Sequence, residues 1–201
     1  MIDRETTRRI VEFHGHMCPG LAMGMKAAEV ALAEIGPHSV DEEVVAVVET
    51  DMCGVDAIQF LTGCTFGKGN LVHRDYGKNA YTFVRRSDGR AIRVSSRPGG
   101  FGPPDPERQA LFEKISSGRA SGDESERLTA LMERRSEDIL TTPVEELYDV
   151  HEVDAPAPPM ARVFSSVDCT RCNEPTMETR LHLLDGETLC RPCFDQALAE
   201  E

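Results

Sequence analysis

The chain has 201 residues, 40% hydrophobic residues and no tryptophan, which is length enough for one full domain and a small appendage. Its formal net charge of −13 argues against a general nucleic-acid binder, because phosphate backbones must be met by clustered Lys and Arg. No apolar run could span a bilayer and the charged start, Met1 to Glu5, does not read as a signal peptide, so a cytoplasmic chain is expected.

Asp3 to Phe13 reads as a short helix with Ile10, Val11 and Phe13 toward a core. His14-Gly15-His16-Met17-Cys18-Pro19-Gly20 breaks it. Pro19 suits the first turn of a second helix, which continues from Leu21 to Ile35 and stops at Gly36-Pro37. The break carries the first candidate site. His14, His16 and Cys18 alternate, and in an extended loop that spacing sends all three side chains to one side. Imidazole and thiolate suit zinc and similar divalent metals. Cys18 also stands at a helix start, which favours thiolate. Taken singly, each residue reads as an ordinary surface histidine or buried cysteine; three potential ligands within five residues favour a site.

Glu43 to Thr50 reads as a buried strand and Asp51-Met52-Cys53-Gly54 as a turn before a short helix, Val55 to Leu61. Cys53 could complete the first site from a second element, as ligand or nucleophile. Asp51 and Asp56 flank it as candidate bases or partners of a ligand, with helix capping by Asp51 an equal reading. Cys64 ranks below Cys53, since eleven positions along a straight helix would separate the two by ~16 Å.

Gly67-Lys68-Gly69-Asn70 forms a loop that reads first as a plain turn; Lys68 is a candidate anion-binding group, with Asp56 a candidate substrate contact. Phe66 to Arg97 carries eight Lys/Arg and two Asp/Glu, a basic island that suits an anionic ligand or a solvated strand face. Ser87-Asp88-Gly89 joins strands at 80–86 and 90–96 as a hairpin. Helices mixed with a meandering sheet indicate an α+β fold. The breaker-rich segment 97–106 closes this core. Glu107 to Leu147 reads as charged helix, and Asp154 to Pro159 as a stiff linker. The expected domains are a core at 1–100, a helical arm and linker at 101–160, and a finger at 161–201.

Cys169 and Cys172 form one CxxC pair, Cys190 and Cys193 another, with 17 residues between them. Two such pairs present four thiolates to one tetrahedral zinc; a single pair would be ambiguous with a redox motif. Asp185-Gly186 signals a hairpin, and a helix follows Cys193. Knuckle, hairpin and helix around one zinc describe a treble-clef finger. Residues 165–201 carry three Lys/Arg and eight Asp/Glu, so the finger suits protein contacts better than DNA or RNA.

FHGHMCPGLAMGMKAAEVAL, VETDMCGVDAIQFLTGCTFGKGNL and GKNAYTFVRR resemble the core of the FmdE family, which takes its name from formylmethanofuran dehydrogenase. The cysteine-bearing tail resembles the zinc-finger extension of many members. The resemblance implies an α+β core of helices on a mostly antiparallel sheet, a homodimer, and an active site with a divalent metal held at positions matching His14, His16, Cys18 and Cys53. It does not imply the reaction in the family's name, which belongs to other subunits. The finger has Asn173 where Cys-Gly-Glu is expected; Asn also accepts positive φ, so the knuckle turn is expected to persist. Two functions follow: a metal-dependent enzyme or enzyme subunit acting on a small molecule through Cys18, Cys53 and His16, or a metallochaperone or docking module using the finger for protein contacts. Transcriptional regulation is disfavoured by the acidic tail.

Overall fold

Asp3 caps the first helix, α1 (Arg4–His14), by accepting the Thr6 N–H at 2.7 Å. The computed structural model describes residues 2–200 and divides into two units, one ending at Met160 and one beginning at Ala161. Ile10 is fully buried, but Phe13, expected in the core, is 56% exposed and leans on Phe60 with ring centroids 5.9 Å apart. α2 (Pro19–Glu34) has Pro19 in its first turn and is buried along most of its length, as its Ala- and Met-rich composition requires. β1 (Val44–Val48) is buried at all five positions. α3 (Gly54–Thr62) follows, and Gly63 ends it in a left-handed conformation.

β2 (Leu71–His73), β3 (Ala80–Arg85) and β4 (Ala91–Ser96) come next, with the predicted hairpin turn between β3 and β4 closed by Gly89 at φ +74°. The segment expected as one helical arm is α4 (Pro106–Ser116) and α5 (Gly122–Thr141), divided at a turn where Gly118 has φ +68°. Ser121 and Glu124 form a capping box that restarts the helix. A short α6 (Val144–Leu147) leads into β5 (Tyr148–Glu152).

The sheet order is β2-β1-β3-β4-β5. Three of its four pairings are antiparallel, and β1–β2 is parallel. Ala46, Val48, Tyr81, Phe83, Ile92 and Val94 belong to one buried cluster with Leu21, Met25 and Ala28 of α2 and Ile139 of α5. The arm and linker at 101–160 therefore lie within the first unit: α5 packs against α2, and β5 extends the sheet from β4. The Tyr148 hydroxyl donates to the Met23 carbonyl at 2.9 Å, which ties β5 to α2. Away from the helical cluster, buried Glu49 receives the Arg93 guanidinium at 2.9 and 2.8 Å.

α2 and α3 meet backbone to backbone. A β-carbon on Gly24 would lie 2.2 Å from the Gly54 carbonyl oxygen, and one on Gly54 would lie 2.6 Å from the Tyr81 hydroxyl. Only hydrogen fits at either position, and the contact draws the N-termini of the two helices together.

In the second unit, β6 (Ser166–Asp168) pairs with β7 (Pro175–Met177), and β8 (His182–Leu184) pairs with β9 (Glu187–Leu189). α7 (Arg191–Ala199) closes it, with Cys190 as its N-cap. Asp185 and Gly186 make the predicted turn with φ +48° and +85°. Residues 178–180 form a single 3-10 turn before β8. Cys169, Leu189, Cys190 and Ala197 form the whole buried core, with the His182 and Phe194 rings stacked 4.5 Å apart beside it. No helix among the described residues is long and apolar enough to cross a membrane.

Candidate metal centres

The His/Cys trio converges, although not by strand alternation. His14 is the last residue of α1, Gly15 turns the chain at φ +103°, and Cys18 is the extended N-cap of α2. The turn between the two helices brings His14 Nε2 to 4.0 Å from Cys18 Sγ and the His14 and His16 rings to 4.8 Å. One ligand atom from each of His14, His16 and Cys18 lies within 4.8 Å of the others. A tetrahedral zinc would set nitrogen and sulfur about 3.6 Å apart, so the group is slightly open for such an ion.

Asp56, in the first turn of α3, places Oδ2 2.6 Å from His14 Nδ1, and Gln59 Nε2 donates to its other oxygen at 3.4 Å. With Nδ1 carrying the proton toward the carboxylate, Nε2 presents a lone pair toward Cys18. This carboxylate–imidazole pairing is the arrangement that orients histidines on metals. His14 is half-buried, Cys18 is 4% exposed and His16 is exposed, so the group has one open side.

Cys18 Sγ accepts the Leu21 N–H at 3.3 Å, as a thiolate at a helix start would. Burial nevertheless outweighs that bond and raises the thiol, with neighbouring Cys53 raising it further. The helix start thus favours the thiolate less than desolvation opposes it, and a nearby cation would stabilise the anion.

Cys53, the N-cap position of α3, is half-buried and adjoins Cys18, but it is not one of the compact trio. Cys64 is apart from both. It is fully buried, and its thiol donates to the Val44 carbonyl at 3.3 Å. Asp51 is exposed and contributes no cap to α3. Lys68 is not directed at an anion: its ammonium donates to the carbonyls of Ser39, Val40 and Asp41 at 3.0, 3.4 and 3.0 Å, fastening the 39–41 loop. Five arginines of the basic island are also taken up. Arg85, Arg90, Arg93 and Arg97 pair with carboxylates, and Arg86 donates to the carbonyls of Glu42 and Pro158. What the residue pattern did not reveal is the role of Gly20, Gly24 and Gly54 in bringing Cys18 and Cys53 together. The signal available was the Gly-x-x-x-Gly spacing of 20 and 24.

The finger's four sulfurs also lie within 4.8 Å of one another, and Cys172 Sγ is 3.7 Å from Cys190 Sγ. Zinc–sulfur bonds of ~2.3 Å give a tetrahedron with edges of about 3.8 Å, which matches. Asn173 adopts φ +59°, so the knuckle turn is kept without glycine. Backbone N–H groups of Cys172 and Cys190 hold the Cys169 thiol down at about 6, while the hydrogen bond with Cys190 and burial push Cys193 up to about 12. One sulfur is prepared as an anion and the cluster resists further charge unless a cation neutralises it. The donor set and spacing fit structural zinc.

Residues 13–149 match the family model described as "FmdE, Molybdenum formylmethanofuran dehydrogenase operon", and residues 162–197 match "Prokaryotic dksA/traR C4-type zinc finger". A curated relative from Archaeoglobus fulgidus, named "Probable S-adenosyl-L-methionine-binding protein", is 35% identical over 192 residues. That alignment covers 92% of this chain and 51% of the relative, so the chain spans about half the length of the protein it matches. The crystal structure of a tungsten formylmethanofuran dehydrogenase FmdE-like protein from Syntrophus aciditrophicus superposes with a TM-score of 0.62 at 25% identity, covering 96% of this chain and 92% of that one.

Proposed function

The chain belongs to the FmdE family, and from that membership and the geometry of the trio we propose that its first unit is a divalent-metal centre, with zinc the expected ion, acting on a small molecule. His14 Nε2, His16 and Cys18 Sγ are the proposed ligands, Asp56 positions His14, and Cys53 stands beside the group as a further ligand or nucleophile. The observation that carries this reading is the 2.6 Å contact between Asp56 and His14 Nδ1, which leaves Nε2 facing the cysteine. A bound zinc would supply Lewis-acid polarisation of a substrate oxygen or a water of lowered pKa. The chain's own part is to set His16 at the open edge, where a small molecule can reach the centre, and to keep Cys18 out of solvent. The name of the Archaeoglobus relative makes S-adenosyl-L-methionine one small molecule to assay. A homodimer and a cytoplasmic setting belong to this reading. They are supported by the family resemblance.

A second reading, a metallochaperone or docking module, is favoured by the finger's acidic composition and by Leu183, 76% exposed on β8. Metal exchange separates the two: a carrier releases its cargo readily, a catalytic centre keeps it.

Asp56→Asn removes the carboxylate but keeps the side-chain shape. It is expected to weaken metal binding at the trio by about 10- to 100-fold, measured by competition against a chromophoric chelator, while the finger zinc is unchanged. Equal affinity in the variant would remove the basis of the assignment.

A further inference from the structure

The contact of Gly24 with Gly54 converges two helix starts, and each carries a cysteine at its N-cap: Cys18 on α2 and Cys53 on α3. Their sulfurs approach one point. A β-carbon built on Gly20 would lie 3.9 Å from Cys18 Sγ, 3.9 Å from Cys53 Sγ and 3.3 Å from Cys53 Cβ, so Gly20 lies beside both side chains. Both are free thiols. Access is unequal, since Cys53 is half-buried and Cys18 is 4% exposed. Of the remaining cysteines, Cys64 is buried against the Val44 carbonyl and the other four form the finger cluster.

We propose that Cys18 and Cys53 form a reversible intramolecular disulfide, with a low-molecular-weight disulfide as oxidant. The Cys53 thiolate attacks the small disulfide, forms a mixed disulfide and expels one small thiolate. Cys18, having lost its proton to solvent, then attacks the Cys53 sulfur and expels the second. Two protein thiols are oxidised by two electrons, and one small disulfide is reduced to two thiols. An oxidised Cys18 can no longer serve as a thiolate donor, so oxidation also empties the trio; this consequence rests on the metal reading above, whereas the disulfide itself does not.

The test uses the full-length protein loaded with zinc and treated with oxidised glutathione. Intact mass, a non-reducing peptide map and zinc released to a colorimetric chelator are followed together. The expected result is a peptide linking Cys18 to Cys53, reversed by dithiothreitol, with release of the first unit's zinc. In Cys53→Ser the link is absent, and oxidised glutathione releases no more of that zinc than buffer alone does. A map in which glutathione modifies Cys53 but no Cys18–Cys53 link forms overturns the disulfide. Release from Cys53→Ser as fast as from the unaltered chain overturns its coupling to the metal. If the link forms in protein whose only zinc is in the finger, the disulfide stands and the metal reading falls.

Discussion

Replacing Cys169 with alanine is expected to unfold residues 161–201 in the full-length chain while the unit ending at Met160 stays folded. Among its described residues the second unit buries Cys169, Leu189, Cys190 and Ala197, and two of those four are proposed zinc ligands. A segment of that size cannot offset its conformational entropy with so small an apolar core. Structural zinc in such units contributes roughly 10–16 kcal/mol, which is effectively the whole folding free energy. Cys169 is the most damaging ligand to remove, because it is almost fully buried and accepts the Cys190 N–H at 3.3 Å. The variant should lose amide dispersion across 166–199 in a two-dimensional NMR spectrum and become sensitive to proteolysis there. A strong chelator should do the same to the unaltered chain. Retained dispersion after zinc removal would mean that some other interaction holds the unit.

Gly24→Ala is expected to be strongly destabilising in the first unit. Its β-carbon would sit 2.2 Å from the Gly54 carbonyl oxygen and 2.4 Å from the Gly54 α-carbon, and backbone cannot rotate away as a side chain can. The helices must part, at a cost at or above the upper end of about 1–3 kcal/mol for overpacking. Parting them also moves Cys53 and Asp56 away from Cys18 and His14, so metal affinity at the trio should fall with stability. The chain has three tyrosines and no tryptophan, and Tyr76, Tyr81 and Tyr148 all lie before Met160. Tyrosine fluorescence in urea therefore reports this unit alone. A β-carbon on Gly122, at the start of α5, would meet nothing within 4 Å. Gly122→Ala is the control, expected to be neutral or to stabilise by about 0.5 kcal/mol. Equal midpoints for the two variants would contradict the close helix contact.

The elements that the sequence announced are those with a strong local signal. The buried run of β1, the Asp-Gly turn between β3 and β4, and the Pro19 boundary needed no tertiary information. β2 and β5 were not visible. Leu71–His73 is too short for a periodic pattern and is strand only because it pairs in parallel with β1. Tyr148–Glu152 is exposed beyond its first residue, as an edge strand can be. The break at Gly118 was readable from Ser121 and Glu124 but was masked by the helical composition around it.

For the site, residue type exposed the His14, His16 and Cys18 group, while its mechanism of convergence depended on Gly15 and on two helix ends. Lys68 shows the opposite failure. Its loop looked available for an anion, and three carbonyls brought by residues 39–41, distant in sequence, take up its ammonium. The two CxxC pairs were legible in full, because zinc dictates ligand type and spacing locally.

The measurement that tests the proposed metal centre most directly is metal content per chain, with each element identified, on protein purified without added metal or chelator. The prediction is about two metals per chain, one held by the finger and one lost in Cys18→Ala with the finger zinc retained. About one metal per chain, lost only when a finger cysteine is changed, would contradict a metal centre at His14, His16 and Cys18.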